Sequence, residues 1–199
     1  MHTGRLEAFS DGVLAIAITV MVLELRPPDG DDWHALLHST GLGLLTYILS
    51  FVYIGIYWSN HHHLFQLVEH VDGAVLWANL HLLFWLSLYP FTTAWLDESR
   101  IAEVPTIVYG INLLGAALAY YVLQLVVERT PSGQRTKEAL GNDLKGKLSP
   151  VLYVTGILLA LWEPVVGLVP MVVVAAMWLV PDRRVERFLA GERGEGSGA

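Results

Sequence analysis

The residues best equipped for chemistry in this chain stand where its sequence is otherwise apolar. Asp11 and Glu24 bracket an uncharged run from Gly12 to Leu23. Trp58-Ser59-Asn60-His61-His62-His63-Leu64-Phe65 gathers three imidazoles, and Asn79, His81 and Asn112 interrupt later apolar runs. Carboxylates and imidazoles in such places serve as proton relays, metal ligands or hydrogen-bonded clasps between helices. Consecutive histidines fan out by about 100° around a helix, so three in a row do not converge on one ion. His70 lies too far along for an i,i+4 pair with any of them. At least one of these histidines is therefore expected to make a hydrogen bond between helices, and Asp11 is a candidate partner.

Other chemistries lack their signatures. There is no nucleophile elbow, phosphate loop or His-Glu-x-x-His, and no paired Asp-Asp at catalytic spacing. The filter sequence Thr-Val-Gly-Tyr-Gly is also missing, so a channel built from this chain would not use a ring of backbone carbonyls. The composition excludes more. The 199 residues are 54% hydrophobic and 16% charged, with mean hydropathy +0.48, which is the profile of a polytopic membrane protein. Cysteine is absent, so disulfides and thiolate chemistry are excluded. A net charge of −7 with no basic stripe does not suit nucleic acid.

Six apolar segments must position these residues, at about 8–25, 35–58, 73–96, 104–127, 148–162 and 165–180. The breaks carry turn chemistry: Arg26-Pro27-Pro28-Asp29-Gly30-Asp31-Asp32, Asp97-Glu98-Ser99-Arg100 and Thr130-Pro131-Ser132-Gly133. Glu163-Pro164 alone separates the last two, which predicts a tight helical hairpin. Ten of the twelve Lys and Arg residues fall on one side, with only Arg26 and Arg100 on the other. By the positive-inside rule both termini are cytoplasmic. The first span is expected to act as its own uncleaved insertion signal. The reading gives an all-α membrane protein with a six-helix transmembrane domain over 1–181 and a partly disordered cytoplasmic tail over 182–199.

The first segment divides into two surfaces when turned at about 100° per residue. Phe9, Ile16 and Leu23 are seven apart and share a stripe, widened by Val13, Thr19 and Val20. Ser10 and Asp11 are rotated away from it by about 100° and 200°. If the stripe faces an axis, Asp11 faces a neighbouring helix and is expected to find a buried partner there. Periodicity alone does not separate a pore lining from ordinary packing. Pro90 should kink the third segment, with the freed carbonyls taken up by hydroxyls or neighbours. Gly110, Gly115 and Ala119 suit close helix packing in the fourth.

Arg5-x-x-x-Phe9-Ser10-Asp11-Gly12, followed by Ala15-Ile16-Ala17-Ile18-Thr19 and Leu23-Glu24, resembles the first-helix signature of prokaryotic relatives of the lysosomal potassium channel transmembrane protein 175. Trp58-x-x-His61-His62-x-Leu64-Phe65, Asp72, Asn79 and Pro90-Phe91-Thr92-Thr93 extend the likeness through span three. The resemblance implies a homotetramer of six-helix subunits in the inner (plasma) membrane. It implies a potassium-preferring leak channel lined by the first helix, with no cofactor beyond permeant K+. Ile16 would form the narrowest layer, with Thr19, Val20 and Leu23 in the layers beyond it. Arg5, Ser10, Asp11 and His61 would form a polar network holding the pore helices. The competing readings are a proton-coupled transporter using Asp11 and His61 as a relay, and a metal or haem protein built on the histidine cluster.

Overall fold

The computed structural model describes residues 3–68, 71–130 and 144–179. Helix α1 spans Thr3–Leu23, α2 Trp33–Phe65, α3 Gly73–Glu98, α4 Glu103–Val127, α5 Leu144–Ala160 and α6 Pro164–Leu179. Among the described residues there is no strand. The first four helices are long and apolar enough to cross a membrane, and α6 is a shorter apolar helix. The tail expected over 182–199 and most of the loop between α4 and α5 lie outside the described residues, as does His70.

Local chemistry fixes the helix ends. The Asp32 carboxylate caps α2 by accepting from the Ala35 N–H at 2.7 Å, and Asp72 caps α3 by accepting from the Val75 N–H at 2.9 Å. The turn between α3 and α4 runs through Arg100 and Ile101 at φ 53° and 59°, a left-handed geometry that is strained for a β-branched residue. It closes with the Ile101 N–H donating to the Leu96 carbonyl at 2.9 Å. Pro90 breaks α3 into Gly73–Ser87 and Tyr89–Glu98. The carbonyl that Pro90 leaves without its helical donor is that of Leu86, and the neighbouring Leu88 N–H turns to it; the Thr92 hydroxyl donates at 3.2 Å to the Leu88 carbonyl, which also accepts the Thr92 N–H at 3.0 Å.

Three boundaries differ from the hydropathy reading. Helix α1 starts at Thr3, α2 continues past Trp58 to Phe65, and α5 starts at Leu144 with Pro150 inside it. Hydropathy marks where residues can sit in hydrocarbon, whereas the backbone ladder runs on into polar sequence. The histidine cluster is consequently part of a helix, and its side chains diverge around α2.

Small residues set the packing distances. A Cβ on Gly156 would lie 2.7 Å from the Gly167 carbonyl oxygen, and one on Gly167 would lie 2.8 Å from Ala160 Cα, so α5 and α6 cross backbone to backbone. Gly110 makes room for Met171 and Ile157, and Gly115 lies against the Trp85 ring. Between these helices Tyr53, Tyr89, Tyr109 and Tyr153 are fully buried, with Tyr53 donating to the Met171 carbonyl. Gly156→Leu should force α5 and α6 apart. We expect a loss of roughly 1–3 kcal/mol, read as a lower Tm by circular dichroism of the protein in detergent.

Candidate pore helix and its polar clasp

One face of α1 is buried and consists of Leu6, Ser10, Leu14, Ala17 and Met21. These recur every three or four residues, the spacing that keeps them on one side. At the centre of that face Ser10 is fully buried and bonds in two directions. Its hydroxyl donates to the Leu6 carbonyl at 2.9 Å and accepts from Asn79 Nδ2 at 2.9 Å. Asn79 Oδ1 in turn accepts from His61 Nε2 at 2.8 Å, with the His61 ring packed 4.5 Å from that of Phe65. One chain of side chains thus ties α1 to α3 and α3 to α2. Toward the other end, Thr93 on α3 bonds Ser50 on α2 at 2.7 Å, and Ser50 bonds Tyr109 on α4 at 3.0 Å. The Thr93 hydroxyl also approaches Met21 Sδ at 3.9 Å.

Asp11 is placed differently from expectation. It is exposed, and its partner is the Trp58 indole N–H at 3.0 Å rather than a buried group or a histidine. The angles explain this. The buried face centres on Ser10, and the next residue is turned about 100° from it, onto the flank beside α2. One turn earlier Glu7 lies 3.7 Å from His62, whose ring stacks on Trp58. Arg5 is exposed and takes no part in the Ser10–Asn79–His61 chain. Of the four polar residues expected in one network, Ser10 and His61 are joined, through Asn79. Asn79 is the buried amide that joins them, making the hydrogen bonds between helices that a polar residue in an apolar span calls for.

The opposite side of α1 is open. Ile16 is 64% exposed and Leu23 80%, with Phe9, Thr19 and Val20 also exposed. Thr19 satisfies its hydroxyl on its own helix, donating toward the Ala15 and Ile16 carbonyls at 3.1 and 2.9 Å. The stripe residues Val13, Ile16 and Val20 form one wall of an apolar groove of about 750 Å³ between α1 and the second half of α3. Among the described residues no group of three or more His, Cys, Asp or Glu is arranged to hold a metal ion. His81 accepts from Trp85 Nε1 at 3.2 Å.

Fold and site together define an all-helical membrane protein whose first helix is clasped on one face and bare on the other. The model of the endosomal/lysosomal potassium channel TMEM175 family matches residues 5–90. A potassium channel of Chryseobacterium sp. (strain P1-3) is 50% identical over 190 residues, covering 95% of this chain and 98% of the relative. The crystal structure of a lysosomal potassium-selective channel TMEM175 homologue from Chamaesiphon minutus superposes with a TM-score of 0.71 at 32% identity, covering 89% of this chain and 96% of that one. The endosomal/lysosomal proton channel TMEM175 of Homo sapiens is 34% identical over 112 residues, 51% of this chain and 22% of the relative. The chain belongs to the TMEM175 family.

Replacing the buried amide tests the clasp. Asn79→Leu leaves His61 Nε2 without its partner and Ser10 with only its bond to the Leu6 carbonyl, and an orphaned buried group costs about 1–3 kcal/mol. Thermal unfolding in detergent should fall well below the wild type, with Ser10→Ala losing less because its neighbours keep one another.

Proposed function

We propose that this chain is a potassium-permeable, potassium-preferring channel in which α1 of each subunit lines a shared pore and Ile16 forms the constriction. Thr19, Val20 and Leu23 form the layers beyond Ile16 on the same stripe. The subunits assemble as a homotetramer in the inner (plasma) membrane with both termini cytoplasmic. The observation that carries this reading is the bare, uncharged stripe on a helix whose other face is locked to α2 and α3. Support comes from the two bacterial relatives, one named a potassium channel and the other described as a homologue of a potassium-selective channel.

The chemistry follows from the side chains. A narrow ring of isoleucines offers no oxygen to replace an ion's water, so passage requires part of the hydration shell to be shed or squeezed. Potassium holds its shell more loosely than sodium, so an apolar ring favours it without a carbonyl cage. Such a ring also closes readily by dewetting. The relay reading has less to stand on. Asp11 hydrogen-bonds Trp58, while His61 hydrogen-bonds Asn79.

Flux from proteoliposomes with potassium, caesium or sodium gradients tests the assignment. Ile16→Asn should raise conductance and bring the potassium-to-sodium ratio toward one. An unchanged ratio and conductance would remove Ile16 from the role of filter.

A further inference from the structure

A groove of about 270 Å³ runs between the last turns of α2 and the end of α6. Its wall changes character along its length. Phe51, Val52 and Gly55 of α2 line an apolar part, Ser59 and His63 a polar part, and α6 contributes Trp178. A Cβ on Gly55 would meet nothing within 4 Å, so open groove and no packed neighbour lies over that glycine. From Phe51 to His63 the helix rises about 18 Å. One leaflet's share of a hydrocarbon core about 30 Å thick is close to that length.

A second, smaller cavity of about 40 Å³ shares Ile56, Asn60 and Trp178 with the groove and reaches between α2, α4 and α5. Its walls hold polar groups with unmet hydrogen bonds. Tyr57 is 7% exposed and Gln124 8%, and among the described residues neither side chain has a hydrogen-bond partner. A space of this size takes about three waters at most and no headgroup. Water there serves the buried hydroxyl and amide, and a larger polar group stays at the groove's mouth.

The charge at that mouth is positive. Lys145 Nζ lies 5.7 Å from the centre of the Trp178 ring, and Trp178 Nε1 donates to Ser149 Oγ at 2.9 Å, which holds the indole in place. Lys147 is exposed two residues further on. Among the described residues no carboxylate lines either cavity. The groove is thus apolar along one leaflet's depth, with cations at its polar end, the pattern that suits an anionic lipid.

We propose that this groove binds one anionic phospholipid of the surrounding bilayer, its acyl chain along Phe51, Val52 and Gly55 and its phosphate at the mouth beside Ser59, His63 and Lys145. The site rests on the membrane location and not on the pore, so its failure leaves the channel reading as it stands.

Trp178 reports the site, its emission being the part of the protein's fluorescence lost in Trp178→Phe. In phosphatidylcholine vesicles, phosphatidylglycerol brominated on its upper acyl chains should quench that emission far more than brominated phosphatidylcholine at the same mole fraction. Lys145→Gln and Lys147→Gln should each cut the relative affinity for the anionic lipid about fivefold. Gly55→Leu should abolish the quenching, with oligomer size by light scattering and helicity by circular dichroism unchanged. Inorganic phosphate should not displace the lipid. Equal quenching by the two brominated lipids overturns the proposal, since the groove then takes any lipid. Displacement by phosphate alone overturns it in favour of a site for the free ion. A smaller oligomer for Gly55→Leu overturns it by making the groove a contact between copies. Where Gly55→Leu misfolds, the lysines decide: an unchanged lipid preference in the Lys145→Gln, Lys147→Gln double variant overturns the proposal.

Discussion

Everything in this subunit depends on how α1 is held. Inside a bilayer the hydrophobic effect does not press one apolar helix against another, because lipid is as apolar as leucine. A helix that must keep one face bare therefore needs directional contacts on the other. Ser10, Asn79 and His61 supply them, and their bonds are satisfied mutually rather than by water. Leu14, Ala17 and Met21 then pack along the same face, with Met21 reaching the Thr93–Ser50–Tyr109 set at the far end. Two polar anchors, separated by most of the helix, define both its position and its rotation.

The remaining helices act as a buttress for those anchors. The kink at Pro90 lets one helix serve both ends of α1, its first half bringing Asn79 to Ser10 and its second half bringing Thr93 to Met21. Helix α4 backs α3 through the Gly115–Trp85 contact and the Asn112–Thr92 bond at 3.2 Å. Helices α5 and α6 close the outer layer, locked by the glycine contacts between them and tied to α2 by Tyr53.

Much of this arrangement was legible in the residues, for definable reasons. Six helices, the Pro90 kink, the close packing at Gly110 and Gly115 and the membership of the α1 stripe follow from hydropathy, backbone chemistry and a 3.6-residue period, whereas the period alone did not say whether that stripe would be packed or bare. What escaped was partner choice. Sequence spacing turned Asp11 away from the stripe but could not say that Trp58, one turn before His62, would meet it first. Nor could it show that an amide 18 positions beyond His61 would bridge that ring to Ser10. Such pairs depend on how three helices cross, and no local pattern encodes a crossing angle. The helix ends at Thr3, Phe65 and Leu144 drifted because the backbone ladder runs on through polar sequence that hydropathy does not mark.

The division of labour along α1 bears on how an apolar ring can discriminate between ions at all. A carbonyl cage tolerates some movement because each ligand follows the ion, whereas an isoleucine ring acts only through its width. A shift of about 1 Å in helix position changes whether a hydration shell passes intact, so selectivity requires the helix to be fixed more tightly than apolar packing in lipid would fix it. The buried Ser10–Asn79–His61 chain does so with three polar side chains that stay off the bare face. Asp11, exposed on the flank, accepts from the Trp58 indole and stays off the bare stripe. In the proposed channel, polar residues of this helix act by orienting the apolar ones, and the apolar ones would meet the ion.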